Sequence, residues 1–194
     1  MQKINLIGPL KLNFHQINFQ NLTYFVDGGL QYKSLFPHSS HSFGDGDSTN
    51  TKLDISFAIE KDFSDSYGAL KCLLKAHDNI AMHGFYGARN DHLIALIGDI
   101  LGLLEEFPNK RIEFNTNTHE AWVFSSHQQS TFHHKGEFSL FSLREQLIKY
   151  QNTDYPKDKM PVKVRPLSSI GLSNKSEGLF EISNTYPILM IFNC

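Results

Sequence analysis

The first half of the chain repeatedly sets aspartate beside small residues. Asp45 and Asp47 stand one residue apart in "FGDGDSTN", residues 43–50, and Asp27 precedes Gly28 and Gly29 in "VDGGL". Asp62 and Asp65 fall in "KDFSD", while Arg89 and Asp91 fall in "GFYGARNDH". Two carboxylates about 4 Å apart, at an effective dielectric near 20, repel by roughly 4 kcal/mol, so Asp45 and Asp47 must either splay apart or share a cation. Oxygen donors with nearby hydroxyls suit a hard cation such as Mg²⁺ rather than zinc. Gly28 and Gly29 would let a phosphate approach the backbone, and Lys61 and Arg89 would balance its charge.

Taken singly, these pieces are ordinary turn and helix-cap chemistry. An EF-hand over "DGDSTNTKLDIS" fails, because Asn50 stands where the loop needs glycine and Ser56 where it needs glutamate. No Gly-rich loop ends in the lysine of a P-loop. His133–His134 and the pair His38 and His41 lack zinc spacing, and Ser139 and Ser142 lack a nucleophile elbow.

Positioning these groups requires a scaffold. "LTYFV" (22–26), "ISFAI" (55–59) and "NIAMHG" (79–84) read as buried strands, each running into a loop rich in Gly or Asp. "SDSYGALKCLLKAHD" places Leu70, Leu73, Leu74 and His77 on one helical face, with Ser64 as its cap. "NDHLIALIGDILGLLEEF" has a stripe of Leu93, Leu96, Ile97, Ile100, Leu101 and Leu104, and Pro108 marks its end. Such alternation predicts a parallel α/β sheet, whose ligands bind at the carboxyl ends of the strands, where all these aspartates fall.

From residue 119 the texture changes. "AWVFS", "STFHH", "EFSLFSL", "VKVRPL", "LFEIS" and "ILMIF" read as short antiparallel strands, and "REQLIKYQ" as a helical turn before a polar loop around "NTDYPKDKMP". The expected division is an α/β domain over 1–118 and a small antiparallel β domain over 119–194. Trp122, near the junction, is expected in the core.

The 194 residues suffice for a sizeable core without disulfide staples. Lys and Arg number 18 against 20 Asp and Glu, which leaves no basic footprint for nucleic acid or for an anionic membrane. Two cysteines, Cys72 and Cys194, make no disulfide framework, and no segment has the roughly 18 apolar residues of a membrane span. A cytoplasmic protein is the expectation.

In order, "DGG" (27–29), "GDGDS" (44–48), "KDFSD" (61–65) and "GFYGARNDH" (84–92) resemble the motifs of the thiamine pyrophosphokinase family, with "GLSN" (171–174) a fainter match. The resemblance implies a Rossmann-like three-layer domain with a mostly parallel sheet, followed by a β-sandwich, in a homodimer with thiamine between subunits. It implies transfer of the pyrophosphoryl group of ATP to the hydroxyl of thiamine, with Mg²⁺. By position, Asp27, Asp47, Asp65, Arg89 and Asp91 would be catalytic, and Asp45, Asp47 and Asp65 would hold the metal. Gly28, Gly29, Asp45 and Lys61 would contact ATP, joined by Asp62, Gly87, Arg89 and His92; Ser173 and Asn174 would lie near thiamine. Ala88 replaces the second glycine of the family's Gly-Gly-Arg, and Ser64 replaces its threonine. Arg165, in "KVRPL", stands where the family has an aromatic residue. That last departure leaves a diphosphokinase for another heterocyclic alcohol, such as a pterin, as an alternative. A nucleotide- or thiamine-binding protein without catalysis is another.

Overall fold

The computed structural model describes residues 2–47, 51–87, 89–116, 118, 120–154 and 160–193. Strand β1 (Ile4–Ile7) opens the chain and β2 (Thr23–Val26) follows a single turn of 3-10 helix at Phe14–Gln16. A longer 3-10 helix, Asp27–Leu35, leads to β3 (Ser39–Gly44) and the two-residue β4 (Ile55–Ser56). Helix α1 (Asp65–Leu73), β5 (Asn79–His83), α2 (Asn90–Glu106) and β6 (Arg111–Asn115) complete the first half. The second half is all strand: β7 (Glu120–Ser125), β8 (Gln129–Phe141), β9 (Gln146–Gln151), β10 (Val162–Val164), β11 (Asn174–Ser183) and β12 (Ile188–Asn193).

All twelve strands join one sheet, ordered β10-β9-β11-β8-β12-β7-β6-β5-β1-β2-β3-β4. From β4 to β6 every pairing is parallel, and from β6–β7 onward every pairing is antiparallel. Alternation along the parallel strands divides their side chains between two cores. Ile4, Leu6, Val26, Ile80 and Met82 face α1 and α2, whereas Ile7 and Phe25 face Leu12, Ile17, Leu30, Phe36 and Leu53 from the connecting segments. The parallel half is therefore covered on both faces, as its near-continuous apolar strands require.

Ser64 caps α1, its hydroxyl accepting from the Tyr67 backbone N–H at 3.2 Å. Leu96, Ile100, Leu101 and Leu104 of the expected α2 stripe are buried, and Leu93 and Ile97 pack against the same cluster. The helix ends at Glu106, two residues before Pro108, whose ring could not continue it. Trp122, Phe124 and Leu189 come from the antiparallel half, yet they pack into this same cluster. The Trp122 ring stacks on Phe114 with centroids 5.7 Å apart, so the tryptophan is core.

The β8–β11 pair bends back on itself. Phe132 and Phe138 are six residues apart on one strand, about 20 Å if it ran straight. Both nevertheless meet Phe180, at centroid distances of 5.6 and 4.6 Å, and both meet Phe192, at 5.6 and 6.2 Å. The fold falls at Gly136, whose φ of 131° is a backbone conformation open only to glycine, with Gly178 on the neighbouring strand opposite His134. A second core of aromatic and aliphatic side chains fills the resulting space.

Several elements differ from the sequence expectation. "REQLIKYQ" is strand β9, because Gln146, Ile148 and Tyr150 alternate inward with a period of two, and the adjacent Leu147 and Ile148 only mimic a helical pair. "STFHH" and "EFSLFSL" are one bent strand rather than two. "ISFAI", expected as a buried strand, pairs through Ile55 and Ser56 alone at the sheet edge, and both residues are exposed. Strands β1, β3 and β6 carry no strand expectation from the sequence. Most of the loop "NTDYPKDKMP" lies outside the described residues.

The four-ring cluster should dominate the stability of the antiparallel half. Phe138→Ala is expected to cost about 3–5 kcal/mol. Urea unfolding followed by tryptophan fluorescence should show a lower midpoint with an unchanged slope.

Candidate active site

The parallel strands deliver their carboxyl ends to one edge, and turns there pack backbone against backbone. Gly8, after β1, donates its N–H to the His83 carbonyl at 2.8 Å, and Leu10 donates to Gly84 at 2.9 Å. A Cβ on Gly29 would lie 2.3 Å from the Ile7 carbonyl oxygen. The glycine expected to make room for phosphate therefore already makes room for β1. The sequence signal for this Gly8-Pro9-Leu10 turn is a short apolar run, "INLI", ending in Gly-Pro.

Asp27 starts the 3-10 helix after β2, with φ at 43°. An aspartate tolerates that left-handed conformation better than most residues, and the strain marks a constrained site. Its side chain is buried and reaches under β3: a Cβ on Gly44 would fall 1.8 Å from Asp27 Oδ1. Only glycine fits at 44 beside that carboxylate. The loop after β3 carries Asp45 and Asp47, the Asp47 N–H donating to Asp45 Oδ1 at 3.1 Å. The base of this loop is clamped by Asp54, whose Oδ2 accepts from the Ser42 N–H and hydroxyl at 2.9 and 2.8 Å.

One oxygen each from Asp27, Asp45 and Asp47 lies within 4.8 Å of the other two. Oxygens on one octahedral Mg²⁺ at about 2.1 Å lie about 3 to 4 Å apart, so small side-chain rotations would close this triad on such an ion. Asp27 Oδ1 and Asp65 Oδ1 are both buried without a hydrogen bond, as oxygens left for a cation or a shared proton would be. The donor set fits a hard divalent cation.

Asp65, the first residue of α1, lies beside Asp27, and its Oδ1 is ion-paired with the Lys61 ammonium at 3.0 Å. The same ammonium donates to Asp45 Oδ2 at 2.6 Å. Lys61, read from sequence as a phosphate counter-charge, is thus held by the protein's own carboxylates. Burial, followed by the hydrogen bond and charge of Asp65 and the charges of Asp45 and Asp47, pushes Asp27 up from its ordinary 3.8 to about 7. The Lys61 hydrogen bond holds Asp45 below its ordinary value. Burial alone would lower Lys61, yet its bonds to Asp45 and Asp65 keep it above the usual lysine range.

The remaining sequence candidates divide in two. Arg89 and Asp91 flank the start of α2 and form an exposed bidentate pair at 3.0 and 2.6 Å, which holds Asp91 below the usual carboxylate range. His92, in the first turn of α2, and Asp62 are exposed, and Gly87 packs on Leu10. Ala88 and Ser48 lie outside the described residues. Gly28 follows Asp27 in the 3-10 helix. Far away, Asn174 is buried and donates to the Gly171 carbonyl at 2.8 Å, which makes it the anchor of its own turn. Ser173 beside it is exposed, with φ at 54°. Six strands separate β11, where Asn174 begins, from β2, so these two residues do not meet the aspartates within one chain. Arg165 is exposed just after β10.

Protonation of Asp27 gives the cluster a pH signature. The folded chain keeps a proton on Asp27 between its ordinary 3.8 and about 7, where the unfolded chain has released it. Stability of the metal-free protein should therefore fall as pH rises through that window. Asp27→Asn, which suits the same φ, should be more stable than wild type at pH 8, the two converging as pH falls toward 4. Thermal midpoints across pH in EDTA would check this.

No protein-family model and no curated protein matches the sequence. Solved structures do match in shape. A thiamine pyrophosphokinase from Bacillus subtilis superposes with a TM-score of 0.77 at 20% identity, over 99% of this chain and 99% of that one. A thiamin pyrophosphokinase family protein from Enterococcus faecalis gives 0.77 at 17%, covering 100% and 99%. The thiamin pyrophosphokinase of Candida albicans gives 0.74 at 14%, covering 98% of this chain and 88% of its own.

Proposed function

We propose that this chain, which has the fold of the thiamine pyrophosphokinases, transfers the pyrophosphoryl group of ATP to the hydroxyl of thiamine, yielding thiamine diphosphate and AMP. The observation that carries this reading is the oxygen triad of Asp27, Asp45 and Asp47 at the carboxyl edge of the parallel strands, on a chain with that fold. Residues 1–118 would form the Rossmann-like ATP-binding unit and 119–194 a β-sandwich that receives thiamine.

Asp27, Asp45 and Asp47 would hold Mg²⁺, with Asp65 beside them; the ion, when bound, would neutralise phosphate oxygens. Phosphoryl transfer asks the protein mainly for in-line positioning and charge neutralisation. The thiamine hydroxyl oxygen would bond to the β-phosphorus as the bond to the α-phosphate oxygen breaks, AMP leaving with that oxygen and the hydroxyl proton passing to solvent or to a nearby carboxylate. Arg89 is exposed and tied to its near neighbour Asp91, so its guanidinium can exchange that partner for a phosphate at the same strand edge. Gly28, Gly87, Asp62 and His92 line the turns that would face the nucleotide.

Ser173 and Asn174 stand six strands from the aspartates of their own chain. A homodimer that sets the β11 turn of one copy against the aspartates of the other would supply the missing half of the site. Arg165 in place of an aromatic supports a second reading, a different heterocyclic alcohol as acceptor, since a guanidinium repels the cationic thiazolium that an aromatic face attracts.

AMP formation from ATP and Mg²⁺, with and without thiamine, and mass detection of thiamine diphosphate test the reading. Thiamine-dependent AMP is the expected result. Asp47→Asn should lower turnover about 100-fold or more, the loss of several kcal/mol of metal-mediated stabilisation, with the fold kept. AMP release that answers to a pterin alcohol in place of thiamine would move the assignment to the second reading, and ATP binding in a calorimeter without turnover would make the chain a binding protein.

A further inference from the structure

Four carboxylates from three separate segments converge here: Asp27 after β2, Asp45 and Asp47 after β3, and Asp65 at the start of α1. Such a gathering of like charge opposes its own assembly. Among the described residues, the ammonium that bonds into it is that of Lys61, 2.6 Å from Asp45 and 3.0 Å from Asp65. The three side chains are only 8, 9 and 15% exposed, so solvent screens these pairs little. The lysine also bridges elements that nothing in the local sequence brings together. Asp45 belongs to the loop of the parallel sheet, whereas Asp65 is the first residue of α1, four residues beyond Lys61. Ordering a long lysine side chain costs rotamer freedom, a cost that a short charge-assisted bond to Asp45 and an ion pair to Asp65 offset.

Lys61 also bears on how a cation would be received. Asp45 Oδ2 accepts from Lys61 and Oδ1 from the Asp47 N–H, so each oxygen has a lone pair left for an ion. An ion entering the triad of Asp27, Asp45 and Asp47 would sit close to a fixed positive charge.

We infer that Lys61 is a positioning residue, a built-in counter-cation that assembles Asp45 and Asp65 before any divalent ion arrives and weakens the site's hold on that ion. The inference rests on the proposed function only for the identity of the ion, and its test uses neither ATP nor thiamine, so the transfer reading can fail without it and the reverse.

The probe is Mg²⁺ alone. Thermal unfolding in EDTA should place Lys61→Met about 3 to 8 °C below wild type. Excess Mg²⁺ should raise the midpoint of Lys61→Met more than that of wild type, and calorimetric titration should show Mg²⁺ bound at least about threefold more tightly by the variant, an effect of removing a neighbouring positive charge. Lys61→Arg, which keeps the charge, should behave as wild type in both readouts. Equal midpoints for wild type and Lys61→Met in EDTA, or equal Mg²⁺ shifts, would overturn the inference. Should Lys61→Met not fold, the double variant Lys61→Met with Asp45→Asn removes both charges of the closer pair and is expected to fold; a double variant as unstable as the single one would refute the counter-cation role.

Discussion

Repulsion among Asp27, Asp45, Asp47 and Asp65 is the constraint around which the parallel half is organised. Like charges converge only where a scaffold holds them against their own field, and here the scaffold works from several directions. Strand β2 delivers Asp27 in a left-handed conformation, and Gly44 leaves the space its carboxylate needs. Asp54 closes the base of the loop that carries Asp45 and Asp47. Lys61 ties that loop to the start of α1. The charge not cancelled by Lys61 shows in Asp27, which burial and its acidic neighbours push up to about 7.

The antiparallel half supports this edge at a distance. Through β6–β7 pairing the sheet continues without a break, and Trp122, Phe124 and Leu189 share the core that α2 covers. The position of α2, and with it that of Arg89, therefore depends on residues far along the chain. The bent β8–β11 pair builds its own aromatic core against the opposite face of β7 and β12, to which Val123, Ile188, Met190 and Phe192 contribute. Such packing makes the sheet rigid where the turns must not drift, since interiors of this density relax little.

Legibility in the sequence followed the range of the interactions involved. Helices α1 and α2 could be read because a 3.6-residue stripe and a serine cap are local signals; α1 nevertheless ends at Leu73, so His77 of its expected face lies beyond the helix. β9 differs from its sequence expectation because "QLIKY" contains an adjacent apolar pair that fits either period, and only its neighbours β10 and β11 decide which face is buried. β3 could not be read because "SSHSFG" is polar for most of its length; its strand state comes from pairing with β2, not from its own residues. At the site, the ordered spacing identified the acidic residues, and the family resemblance implied Asp45, Asp47 and Asp65 as metal ligands. The structure brings one oxygen each of Asp27, Asp45 and Asp47 within 4.8 Å of one another and pairs Asp65 with Lys61.

Residue types and local spacing by themselves determined that this chain holds a parallel α/β half followed by an antiparallel half, and that its acidic motifs fall where strands end. These are consequences of periodicity, turn chemistry and charge over a few residues, which a linear sequence records. Tertiary structure alone decided which oxygens share a cation's reach, that Lys61 pairs with Asp45 and Asp65, and that Ser173 and Asn174 lie six strands away from β2. Each of those depends on the distance between groups far apart in the chain, set by strand order and packing, and no local pattern encodes it.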